Sequence, residues 1–168
     1  MKSIRQLRNV LNFFPEEIHS NVGLFSNYNI DYDVFLPSIG KNLQRGFVWN
    51  IDQKREIIWS ILMKRNIPRM AIIRTKDDVF QIIDGKQRLS SMIAFYKNDF
   101  TLLIEEKEYY YNELPEEYQR VIKGYYFPYL VVNEDFDIKI TDQQKIDWFK
   151  FINFVGTEQD KKHLDNLK

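Results

Sequence analysis

The sequence predicts an α+β domain, a small mixed sheet with flanking helices, and three observations carry that prediction. Helical and extended patterns alternate irregularly, without the regular strand–helix repeat of a doubly wound parallel sheet. Hydrophobic residues make up 44% of the chain, enough for a packed core. The length, 168 residues, suits one domain with a sizeable core. The simplest organisation is one domain over 1–168, with residues 1–34 as an N-terminal helix and loop appendage.

The elements follow in order. Ser3 with Gln6 reads as a capping box, and Ile4, Leu7, Val10, Leu11 and Phe14 recur at helical spacing. Residues 15–34 lack a clear period and predict a loop with a short strand. Phe35-Leu36-Pro37 reads as extended, because a residue before proline avoids the helical region. Asn50 with Gln53 opens a helix over 51–65 whose apolar face is Ile57, Ile58, Ile61 and Leu62. Residues 70–74 and 79–83 read as strands around a turn at Thr75–Asp78, and the second leads directly into a helix running to about residue 97. Residues 100–111 predict a hairpin, and Pro115 predicts the first residue of a short helix with Glu116 and Glu117 at its positive end. A strand follows over 125–132, where Pro128 implies an edge or a bulge. Thr141 with Gln144 caps a helix to about 153, and Thr157 with Asp160 a short terminal one.

Composition excludes several chemistries. Cysteine is absent, which removes disulfides, thiolate metal sites and cysteine nucleophiles, and suits a cytoplasmic protein. With His19 and His163 the only imidazoles, a zinc site, a Ser-His-Asp triad or a histidine-dependent nuclease centre is hard to assemble. No apolar run reaches the roughly 18 residues of a membrane span, so no membrane association is expected. Net charge is zero, yet residues 41–88 hold 11 Lys/Arg against 5 Asp/Glu, while residues 99–160 hold 6 against 14. The basic block is where an anion is welcome; attraction of the whole chain to duplex DNA is not indicated. The 13 Phe, 10 Tyr and 3 Trp serve a core first, and also offer stacking surfaces for bases.

Two segments concentrate candidate chemistry: Gln44-Arg45-Gly46-Phe47-Val48-Trp49, and Asp84-Gly85-Lys86-Gln87-Arg88. The second reads as strand, tight turn and helix start. Gly85 permits a backbone conformation closed to other residues. The amides that follow lie at a helix N-terminus, which favours phosphate, and Lys86 and Arg88 add positive charge. Arg88 is expected to be exposed there. A purely structural reading has Asp84 capping the helix and Arg88 pairing with a surface carboxylate. Trp49, just before a helix, serves either the core or a ligand as a stacking platform, with Gln44 and Arg45 close enough to share its concavity.

In register, with a helix and Ile67-Pro68 between them, these two segments resemble the pattern of the GmrSD-type restriction system N-terminal family of the ParB/sulfiredoxin-like superfamily: a QRxFVW segment, then a DGQQRL segment after a strand. Glu113–Gln119, the strand after it, and Phe149-x-x-x-Asn153 followed by Gly156 resemble later landmarks of the family, so the resemblance spans residues 35–165. It implies a ParB-like fold that binds a nucleotide, and in several members hydrolyses it, in restriction and phage-defence systems where a second domain cuts DNA. Asp84, Gly85, Gln87 and Arg88 match the DGQQR motif, and Gln44, Arg45 and Trp49 the first segment; Asn153 matches a late Asn. Lys86 replaces the usual Gln, which puts hydrolysis in doubt. The chain ends where the family's His-Asn-His nuclease would begin, so the expectation is a stand-alone copy that is not a nuclease by itself. A Walker A reading fails, because Gly85-Lys86 is followed by Gln87 and no glycine stands five residues earlier.

Two functional expectations follow. In the first, the domain binds and hydrolyses an NTP with Mg²⁺. Arg45, Lys86 and Arg88 hold phosphates, Gln44 and Gln87 supply hydrogen bonds, and Trp49 forms the pocket wall. Asp84 is a candidate Mg²⁺ contact and Gln87 the group that positions water, so Asp84, Gln87 and Arg88 stand as the catalytic set, with Gly85 and Asn153 completing the nucleotide site. In the second, the domain is a non-catalytic module, phage- or mobile-element-encoded, that partners or blocks a defence or DNA-processing complex in a bacterial or phage-infected cell.

Overall fold

The computed structural model describes Ser3 and residues 13–134 and 139–153. Of the expected N-terminal helix only Phe13 and Phe14 are among these residues beyond its cap, and neither is helical; the rest, like the Thr157–Asp160 cap, lies outside them. The architecture is α+β around a mixed five-stranded sheet. In chain order the elements are β1 (Glu16–Asn21), α1 (Val22–Phe25), β2 (Asn29–Asp31), β3 (Phe35–Leu36), β4 (Lys41–Asn42) and α2 (Ile51–Leu62). They continue as β5 (Met70–Arg74), β6 (Val79–Asp84), α3 (Lys86–Tyr96), β7 (Leu102–Ile104), β8 (Lys107–Tyr109), a 3₁₀ turn (Tyr111–Glu113), α4 (Glu116–Lys123), β9 (Tyr126–Asn133) and α5 (Asp142–Asn153).

The sheet runs β1-β9-β5-β6-β2. Neighbours β1/β9 and β5/β6 are antiparallel, whereas β5/β9 and β2/β6 are parallel. The central strand β5 is buried from Met70 to Ile73, as its unbroken apolar run requires of a strand covered on both faces. Its alternate side chains serve two cores. Met70 and Ile72, with Phe80, Ile82, Phe127, Tyr129 and Val131, pack beneath α1, α2 and α3; Ala71 and Ile73, with Ile83 and Val132, pack against Ile146, Trp148 and Phe149 of α5. In the first core Phe25 is fully buried and meets Phe80, Phe127 and Tyr129, with ring centroids 5.4–5.6 Å apart.

The predicted elements between residues 35 and 153 are present, with informative differences. Asn50 and Gln53 complete a reciprocal capping box at α2. That helix ends at Leu62 rather than 65, because Lys64 takes a left-handed conformation (φ 54°) and the amide of Arg65 turns back to the Ser60 carbonyl at 2.9 Å. This is a Schellman ending without the usual glycine. Asn98 closes α3 in the same way, at φ 63°. The 102–109 hairpin turns through Glu105 and Glu106, both at positive φ, a geometry that ordinarily selects Asn or Gly. Pro115 stands one position before its helix, at the cap.

Two expectations are corrected. Residues 15–34 are not a loop with one short strand: they form β1, α1 and β2, both outer strands of the sheet included. The first four residues of β1 are exposed and carry no alternation, since an edge strand facing solvent needs none. The α1 turn is only four residues, held by the Asn21 side chain accepting from the Leu24 amide at 2.8 Å. Nor does Pro128 mark an edge strand, because β9 lies between β1 and β5. Pairing with β5 begins only at Tyr129, so the proline sits where β9 has a neighbour on one side alone.

The box at Asn50 gives a direct check. Replacing Asn50 with Ala should lower stability by about 1 kcal/mol, read as a reduced urea midpoint at unchanged slope; an unaltered midpoint contradicts the assigned cap.

Candidate functional site

All nine residues singled out from the sequence line one cleft of about 250 Å³, together with Phe149. Three parts of the fold converge there. The segment before α2 brings Gln44, Arg45 and Trp49; the end of β6 and the start of α3 bring Asp84, Gly85, Lys86, Gln87 and Arg88; the last turns of α5 bring Phe149 and Asn153. Two larger hollows, of about 600 and 420 Å³, contain none of the nine.

Gly85 is the hinge of the arrangement. It takes φ 95°, a left-handed conformation, and a Cβ built on it would come within 2.3 Å of Met70 Cγ. Both the backbone angle and the packing therefore demand glycine. As the N-cap of α3, Gly85 has no side chain to bond the first turn. Asp84 does not cap the helix either: its Oδ2 lies 3.1 Å from Arg88 Nη2. The N-terminus of this eleven-residue helix thus lies at the cleft, with no hydrogen bond from a side chain at its N-cap, in contrast to the complete box on α2.

Most of the polar side chains stitch the two segments together. Gln44 donates from Nε2 to the Ile82 carbonyl at 2.6 Å. Gln87 donates to the Gly46 carbonyl at 3.0 Å, and its Oε1 accepts from the amides of Val48 and Trp49 at 3.2 and 3.4 Å. The Lys86 ammonium, expected on phosphate, is turned to Asp33 Oδ1 and to the Arg45 carbonyl, and lies 4.3 Å from the centre of the Phe47 ring. Tyr32, its phenol pushed up to about 12 by burial, packs edge-on against that same ring.

The arginines differ. Arg88 was expected to be exposed; its side chain is only 16% exposed, donating to the Pro68 carbonyl as well as to Asp84. The reason is the left-handed turn, which sets α3 against the Ile67-Pro68 loop. Arg45 is exposed and makes no ion pair among the described residues. Asn153 donates to the Phe149 carbonyl of its own helix at 2.8 Å. The parts played by Asp33, Phe47, Pro68 and Met70 were not foreseen, because their contacts to the turn at 85–88 span 15 to 53 residues and leave no local pattern. Among the described residues no three His, Cys, Asp or Glu side chains gather, and no helix is long and apolar enough to cross a membrane.

Substituting Gly85 with Ala should destabilise the fold by about 2 kcal/mol or more. A left-handed residue with a Cβ costs roughly 1–2 kcal/mol, and crowding Met70 adds about 1–3 kcal/mol. Urea unfolding measures this; a midpoint equal to that of the wild type contradicts the turn as described.

No curated protein and no solved structure matches the chain. The family model described as the GmrSD restriction endonuclease, N-terminal domain, matches residues 22–168, nearly the whole chain, a span within which the cleft residues fall. The mixed five-stranded sheet is compatible with the small ParB-like domain expected of that family. The chain belongs to the GmrSD restriction endonuclease N-terminal domain family, which links it to restriction and phage-defence systems.

Proposed function

We propose that this domain binds a nucleoside triphosphate in the Gly85 cleft, as the nucleotide-responsive part of a restriction or defence system. One observation carries the reading: an exposed arginine without an ion-pair partner among the described residues, Arg45, shares a cleft with a helix N-terminus that has no side-chain cap. Backbone amides and a guanidinium are complementary to phosphate oxygens, the amides through the helix dipole and the guanidinium through its planar fork. Trp49 and Phe149 offer aromatic walls on the same cleft.

Within this reading the residues divide by role. Arg45 and the leading amides of α3 contact phosphate. Arg88 reaches phosphate only by yielding one of its present partners, Asp84 or the Pro68 carbonyl. Gln44, Lys86 and Gln87 hold the segment that presents Arg45 and Trp49. The cleft does not fit a metal held by protein ligands, since its carboxylate, Asp84, is engaged by Arg88. Mg²⁺ would arrive on the phosphates with its own waters, as that cation prefers.

A second reading, binding without turnover by a module that acts on a protein partner, draws support from Gln87. Both ends of its amide are bonded to residues 46–49, so it is not poised to orient a water. A phosphate-release assay divides the two.

The test of binding is a thermal-shift and calorimetry screen against the four NTPs, with and without Mg²⁺. The wild type should be stabilised by at least one of them. Arg45→Ala should lower the affinity tenfold or more, since a charge-assisted contact contributes about 1.5–3 kcal/mol, while melting at the wild-type temperature without ligand. Undiminished affinity in Arg45→Ala removes the cleft from the nucleotide site.

A further inference from the structure

We infer that Asp33, outside both motifs, is a positioning residue for the cleft, acting through Lys86 to fix the segment that presents Arg45 and Trp49. The inference takes its ligand from the nucleotide reading above, but its geometry stands independently of that reading.

Lys86 occupies the position where the DGQQR pattern has glutamine, and it is 1% exposed. A buried ammonium requires a counter-charge and acceptors. It finds Asp33 Oδ1, the Arg45 carbonyl at 3.2 Å, and the face of Phe47. Asp33 is itself held in the turn after β2, where its amide donates to Asp31 Oδ1 at 3.0 Å. One ammonium therefore ties the β2 turn, the start of α3 and the backbone at residues 45–47. Bonding to the Arg45 carbonyl fixes the peptide plane beside the Cα from which the exposed guanidinium departs. The tie complements Gln87, which holds Gly46, Val48 and Trp49 but makes no bond to residue 45.

The two partners are not equivalent. Asp33 is 57% exposed on its side chain, so without Lys86 its carboxylate is hydrated at little cost. Lys86 has no such recourse. Neutralising Asp33 strands a buried positive charge and loosens residues 45–49, whereas neutralising both restores a balanced, glutamine-like arrangement. A role confined to the turn at residue 33 predicts no rescue by a change at residue 86.

The experiment uses the full chain as wild type, Asp33→Asn, Asp33→Glu and Asp33→Asn/Lys86→Gln. Each is assayed for affinity for the four NTPs with Mg²⁺ and for amide hydrogen exchange at residues 45–49. Asp33→Asn should bind about tenfold more weakly and exchange faster across 45–49. The double variant should return towards wild type in both, and Asp33→Glu, which keeps the charge, should retain most of the affinity even if Asp33→Asn folds poorly. Unchanged exchange in Asp33→Asn overturns the inference, as does tighter binding, which would mean that the released ammonium swings to phosphate. Loss of affinity that Lys86→Gln fails to restore also overturns it. If the wild type binds none of the four NTPs, the functional reading fails, and the exchange comparison alone decides the role of Asp33.

Discussion

The left-handed turn at Gly85 is the constraint on which the rest of the site depends. At φ 95°, pressed onto Met70 of β5, it lets β6 leave the sheet and enter α3 with no intervening loop. Because β6 is pinned between β5 and β2, the start of α3 has a fixed place and its leading amides a fixed direction. A side chain at this position would push β5 and α3 apart, and with them the contact between Arg88 and the Ile67-Pro68 loop.

Around that turn, conserving geometry takes most of the polar side chains. Gln44, Lys86 and Gln87 each bond a backbone group of a segment about 40 residues away in sequence, so two strings of residues with no regular secondary structure in common become one surface. Such bonds are strongest where water is excluded, and leaving one member of the set without a partner there is costly. The result is a division of labour: neutral amides and a paired lysine shape the cleft, and Arg45 and the helix N-terminus are the groups in it that, under the proposed function, meet phosphate. Part of the positive surplus of residues 41–88 is met by carboxylates from outside that stretch, with Lys86 on Asp33, Arg55 on Glu108 and Arg69 on Glu17.

What could be read from the sequence was what short-range physics encodes. Capping boxes at Asn50 and Thr141, the apolar run at 70–73 and the turn at 75–78 each announce themselves within a few residues. The outer strands β1 and β2 did not, since an exposed edge carries little hydrophobic pattern and its pairing is set by distant partners. The end of α2 was placed three residues late because a residue other than glycine, Lys64, adopts the left-handed ending. At the site, the membership of the cleft was legible from two motifs in register, but the direction of each side chain was not. Lys86 reads as a phosphate ligand until Asp33, 53 residues earlier, is found beside it.

The most direct test of the central claim is a crystal structure of the full chain with a non-hydrolysable triphosphate and Mg²⁺. The account predicts phosphate oxygens within about 3 Å of the Gln87 or Arg88 amide and of the Arg45 guanidinium, with Lys86 still on Asp33. A nucleotide seated instead in the hollow lined by Tyr28, Tyr32 and Phe47, or phosphates held by Lys86 with the leading amides of α3 unused, would contradict it.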